Sequence, residues 1–200
     1  ESAILMDLMG APAGEKIALL EPHAGDFRRD DLFVELAKAY NQNFQPEKAL
    51  QLLLSHVFLA CEGGEHAIAD QYMYAWFQLG MAKKAAGDWA GCYELLEKAL
   101  TLPKSLGSGI WNRCKYVPYQ FHMAECLEHM GKKEDAQSIY RMILDIEVEF
   151  FSNMHLRELP YYQALCAEAL GLQQKAWNIM ARAKRDWSFN LDRKDNGFFS

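Results

Sequence analysis

The chain has 200 residues, half of them apolar and 24% charged, with a formal net charge of -6. That length buries a sizeable core without disulfide or metal staples, and an acidic balance with no basic stripe excludes a nucleic-acid partner, because phosphate recognition needs clustered Lys and Arg. The longest apolar stretches, such as 49–60, are broken by Gln51, Ser55 and His56 and are too short to span a bilayer, so no membrane role is expected.

Residues 1–29 read as a capping segment. Their apolar runs 3–9 and 17–20 predict one or two short helices, and Asp26, Asp30 and Asp31 are expected to cap the helix that follows. Period and punctuation then place helices at 30–42 and 46–60, 65–86 and 89–101, 117–130 and 133–149, and 158–170 and 172–186. The short turns inside the last three pairs hold Gly87, Gly131 and Gly171, which accept a left-handed backbone. In the first pair Pro46 is expected to replace that device by sitting at a helix start. The array spans 30–187, and 188–200 form a tail in which Trp187, Phe189, Phe198 and Phe199 are expected to fold back on the last pair. A start at Glu1 and an aromatic end suggest an excerpt of a longer chain, from which a targeting segment is not readable.

One signature recurs through these pairs. It is clearest in Trp76, Leu79, Gly80, Gly87, Cys92, Leu96 and Ala99, returns in Met123, Ala124, Gly131, Ala136, Tyr140 and Ile143, and again in Ala164, Gly171, Ala176, Met180 and Ala183. A diverged first copy reads Phe33, Leu36, Ala37, Tyr40, Ala49 and Leu53. The pattern resembles the tetratricopeptide repeat. That resemblance implies an all-α protein, a right-handed α-α solenoid of about four helix pairs, because one pair cannot bury its apolar face alone. Equivalent turn positions 44, 87, 131 and 171 are 40 or more residues apart, against about 34 in a standard repeat. Each unit therefore carries an insertion between its second helix and the next first helix, expected to project from one edge as a binding face.

Those connectors hold the chemistry. The run Glu62-Gly63-Gly64-Glu65, followed by Leu102-Pro103-Lys104-Ser105-Leu106-Gly107-Ser108-Gly109 one repeat later, resembles the C-terminal repeat region of large bacterial proteins of uncharacterised function. That family has an upstream predicted β-sandwich domain and is thought to be associated with carbohydrate utilisation, which implies an interdomain scaffold. One reading of the acidic run is a helix stop followed by a helix start, with Glu65 complementing the helix dipole. The other is a glycan site: Glu62, Glu65, His66 and Asp70 accept hydroxyl hydrogen bonds, Trp111 or Tyr116 offers a ring face, and Asn112, Arg113, Asn153 and His155 complete the pocket.

Neither catalysis nor a metal centre has a convincing signature. There is no H-E-x-x-H, and His122 and His129 stand two helical turns apart, on the order of 10 Å, too far to chelate one ion. The acidic pairs 62 and 65, or 147 and 149, have no readable separation, which is what decides glycoside hydrolysis. The five cysteines lack C-x-x-C spacing and argue against a disulfide framework. Cys92, Cys126 and Cys166 align with alanines, Ala39 and Ala82 among them, and are expected to be small core residues in a reducing, cytoplasmic setting. No cofactor is implied.

The first helix of each pair should line a concave groove. Its residues are Val34, Lys38, Asn41 and Gln42, then Tyr74, Phe77, Met81 and Lys84, then Phe121, Glu125, Glu128 and His129, then Glu158, Tyr161 and Glu168. Chaperone-binding relatives clamp a terminal carboxylate with Lys and Asn, but the matching places here are Val34, Lys38, Gln78, Pro118 and His122. That partner is disfavoured. The expected function is a noncatalytic scaffold for protein or interdomain contacts, with an upstream domain or a protein as partner and glycan binding through the connectors as the alternative.

Overall fold

The computed structural model describes residues 5–6, 9–59, 65–107, 113–147 and 158–192, and among them there is α-helix and 3-10 turn but no strand. The helices are α1 (Ala13–Leu20), α2 (Asp30–Gln42), α3 (Pro46–Leu54), α4 (Glu65–Ala85), α5 (Trp89–Ala99), α6 (Val117–His129), α7 (Lys133–Leu144), α8 (Leu159–Ala169) and α9 (Gln173–Asp192). Short 3-10 turns lie at Glu21–Asp26, Lys104–Leu106 and Arg113–Tyr116. The chain divides into two compact units, Glu1–Trp111 with α1 to α5 and Asn112–Ser200 with α6 to α9. Within them the helices pack as successive pairs, α2 with α3, α4 with α5, α6 with α7 and α8 with α9.

Each pair turns by the same two hydrogen bonds. Gly131 N–H donates to Glu128 O and Lys132 N–H to Leu127 O, the Schellman pattern of a left-handed helix end. Gly87 and Asp88 repeat it on Lys84 and Lys83, and Gly171 and Leu172 on Glu168 and Ala167. The first pair keeps the pattern too, through Phe44 on Asn41 and Gln45 on Tyr40. Pro46 therefore does not replace the turn. Phe44 adopts φ 55°, as the glycines do at 77°, 80° and 76°.

In the first unit α1 packs on α2, α3 on α4, and α2 on α4. The core is Leu36, Ala37, Ala39, Ala49, Leu53, Ala75, Cys92, Leu96 and Ala99, all fully buried. The segment before α2 is tied down by polar contacts. Buried Lys16 lies 3.2 Å from Glu35 Oε2, and Glu21 Oε1 accepts from both Tyr40 Oη and Lys48 Nζ. Asp26, Asp30 and Asp31 do not cap α2, whose N-cap is Arg29 without a side-chain bond. Asp31 pairs with Arg29, while Asp30 reaches across to His56 and to Leu59 N–H.

Two helices stop earlier than their pattern suggests, each for a local reason. α3 ends at Leu54 instead of near 60: Ser55 Oγ donates to Leu52 O, and His56 turns inward to stack on Phe33, 4.1 Å between ring centroids. α7 ends at Leu144 instead of near 149, because Gln163 Nε2 reaches Ile143 O, Leu144 O and Ile146 O and satisfies orphan carbonyls. α9 runs further than expected, through Asp192, so 188–192 belong to the helix. Of the tail aromatics, Phe198 and Phe199 lie outside the described residues, as do the side chains of Trp187 and Phe189.

The insertions do not simply project. Phe58 and Leu106 are buried, and Phe58 N–H donates to Ser105 O at 2.8 Å, so the described parts of the first two connectors fold onto each other. Ring packing accounts for this, because Phe58 meets Phe33 and His56 edge to face. In the second unit α6 and α7 each pack on α8, and Ala124, Cys126, Ala136, Tyr140, Ile143, Cys166 and Ala167 are buried. Ala82, aligned with Cys126 and Cys166, is exposed. In its unit no later first helix follows α4.

Candidate protein-contact faces

The connector set is not brought together by anything described. Glu62, Trp111, Asn112, Asn153 and His155 lie outside the described residues, and Glu65 and Arg113 contribute only backbone, opening α4 and a 3-10 turn. His66 and Asp70 are half-buried, one helical turn apart at the start of α4.

The first helices present more. On α4 one stripe is buried, with Ile68, Ala69, Tyr72, Met73 and Ala75. A second apolar stripe, Tyr74, Phe77 and Met81, at i, i+3 and i+7, faces outward. Tyr74 is 44% exposed and stacks on Phe77, while Phe77, Met81 and Lys84 are half-buried. Val34 and Lys38 on α2 are half-buried and Gln42 is exposed.

Two groove residues lie inside instead. Asn41 is 2% exposed; its Nδ2 donates to Gln71 O and Gln71 Oε1, and Gln78 Nε2 donates to its O and Oδ1. It joins α2 to α4. Phe121 is buried among Tyr140, Tyr162 and His122. Asn41 and Phe121 therefore serve helix packing.

In the second unit Glu125 and Glu128 are half-buried, whereas His129, Glu158, Tyr161 and Glu168 are exposed. Glu125 pairs with His122 Nδ1, and Glu128 accepts from Tyr140 Oη at 2.9 Å. Burial pushes the Tyr140 hydroxyl well above its ordinary value, helped by Glu128 and Glu125. Burial likewise raises Tyr162 to about 12, with Glu158, Tyr161 and Glu125 adding to the effect. The Cys166 thiol is pushed to about 12 by burial alone. Each is thus a neutral group near pH 7. A protonated, buried thiol is a poor nucleophile.

Among the described residues no three His, Cys, Asp or Glu side chains are placed to hold a metal ion, and no helix is long and apolar enough to cross a membrane. Sequence reasoning missed the nest of Phe27, Phe33, His56 and Phe58. The nest joins two local pairs, Phe27 with Phe33 and His56 with Phe58, that are more than twenty residues apart, so no periodicity marks it. The same reasoning also missed an open groove on α9 lined by Trp177, Asn178, Ala181, Lys184 and Arg185.

The tetratricopeptide repeat family matches residues 119–146, nearly the whole of α6 and α7. Among solved structures, the TPR-like repeats of a Podosopora anserina kinesin light chain-like protein are similar at 17% identity and a TM-score of 0.51, covering 96% of this chain and 93% of that one. MamA is similar at 13% identity and a TM-score of 0.47, with 96% and 98% covered. The chain is a tetratricopeptide-like repeat protein in fold, all-α, built of sequential helix pairs.

Proposed function

We propose that this chain is a noncatalytic repeat scaffold whose first-helix faces make protein or interdomain contacts. The supporting observation is the second apolar stripe of α4: beyond the buried Ile68, Tyr72 and Met73, Tyr74 is exposed and Phe77 and Met81 beside it are half-buried. A helix apolar on both sides is normally enclosed, and an apolar stripe left open on a folded surface marks a place where a partner sits. Repeat scaffolds use such faces to bind protein segments.

Peptides selected from a random library on the wild-type protein provide the test. Tyr74→Ser with Met81→Lys should abolish their binding, with circular dichroism confirming that the double variant keeps its helical fold. Peptides that bind both proteins equally would overturn the placement. The carbohydrate-associated bacterial setting rests on the two connector glycine motifs alone. A thermal melt with a glycan panel tests it, and a ligand-dependent shift lost in Glu65→Gln would establish the glycan reading instead.

A further inference from the structure

In the second unit α6 and α8 are acidic, α7 is charge-balanced and α9 carries a basic excess. α6 and α8 contain no Lys or Arg, while α9 contains Lys175, Arg182, Lys184 and Arg185. Along α8, Glu158, Tyr161 and Glu168 share one face and are all exposed, Tyr161 by 49%. On α9 the inner stripe of Ala176, Ile179 and Met180 packs against Ala164 and Ala167. Beside that stripe, Trp177 is 68% exposed and shares its open groove with exposed Lys184 and Arg185.

An exposed indole flanked by cations is suited to an aromatic, acidic counterpart. The ring supplies most of the buried area, and the cations lose their hydration most favourably opposite carboxylates. The α8 face has that chemistry. Because α8 and α9 are locked together through a third stripe, the two faces of one chain cannot meet each other. We infer that they meet between copies: the Trp177 groove of one molecule seats on the Glu158, Tyr161 and Glu168 face of the next. The inference rests on reading the first-helix faces as contact surfaces, and it names the partner as a second copy of this chain. Such a contact is heterologous, so it extends by addition or closes into a ring.

Sedimentation from micromolar to submillimolar concentration is the test. Wild type should gain mass with concentration at low salt and lose it near 1 M salt, where the Debye length is about 3 Å. Lys184→Glu with Arg185→Glu, and Glu158→Lys with Glu168→Lys, should each be monomeric alone and should form a one-to-one dimer when mixed, since each keeps the face the other has lost. Trp177→Ser should weaken association by about tenfold or more, and Glu158→Gln with Glu168→Gln should weaken it less than the reversal does. Circular dichroism confirms the fold of every variant. A wild type that stays monomeric at all concentrations, association untouched by both reversals, or variants that fail to pair on mixing would overturn the inference. A Lys-rich peptide bearing one Trp separates the two readings. If it binds the monomeric wild type and not Glu158→Lys with Glu168→Lys, self-association falls while the contact face stands; if it does not bind either, both fall for α8.

Discussion

Phe44 holds a left-handed backbone at φ 55° with its ring 83% exposed, in the place where three other turns use glycine. The Cβ of a bulky residue in that region crowds the neighbouring carbonyl by about 1–2 kcal/mol, and the exposed ring returns little of it through packing. Phe44→Gly should therefore raise the unfolding free energy by about 1 kcal/mol, and Gly131→Ala should lower it by a similar amount, both read from urea melts. The position of this turn was legible from the register of the glycines; its geometry was not, because Pro46 offered an alternative that the backbone does not use. Asn41 taught the converse lesson. An amide in a groove position reads as solvent-facing, yet Gln71 and Gln78 satisfy it inside, and nothing in residue type separates a hydrated amide from a buried, paired one.

At the scale of the element, the turns within pairs were readable because their glycines act locally. The cap of α5 is equally local: Asp88 accepts from Gly91 N–H at 2.9 Å and from Lys83 Nζ at 2.9 Å. A Cβ at Gly91 would lie 2.5 Å from Asp88 Oδ2, so any larger residue there must displace the capping carboxylate. Lys83 and then Gly91 N–H hold the Asp88 carboxyl below its ordinary value of 3.8. Its stabilising contribution is present above that value and is lost as pH falls through the lowered folded value. Asp88→Ala should lower the melting temperature at pH 7 while Asp88→Ser retains most of it, since a hydroxyl also accepts. The gap between wild type and Asp88→Ala should close in acid below pH 3.8. The ends of α3 and α7 were not readable, because His56 and Gln163 terminate them through residues distant in sequence.

For the whole molecule, the helix pairs were legible from the repeat, while the division into two units was not. The connector residues of the glycan reading were singled out by residue type, but residue type does not say which loops converge. Alkaline stability reports on both units at once. Tyr40 and Tyr162 are raised from 10.0 to about 12, and Cys166 from 9.0 to about 12, in each case chiefly by burial. Below pH 9 these groups are neutral in both folded and unfolded chains. As pH rises past the unfolded values, the unfolded chain releases protons that the folded chain keeps, so stability declines up to the folded values. The melting temperature should be level to about pH 9 and fall from there toward pH 12, with a shallower fall in Tyr162→Phe.

The bond from Phe58 N–H to Ser105 O has a consequence in time. It joins segments a whole repeat apart, and it closes a loop containing all of α4 and α5. Such a loop gives up chain entropy before its contacts return anything, whereas the Gly87 turn links α4 to α5 locally. The clasp should form after the folding barrier, on a surface that the helix pairs have already made. Phe58→Ala is then expected to steepen the loss of the native state by raising the unfolding rate while leaving the refolding rate nearly unchanged, the pattern of a contact absent from the transition state. Stopped-flow chevrons of the two proteins should diverge on the unfolding arm and coincide on the refolding arm.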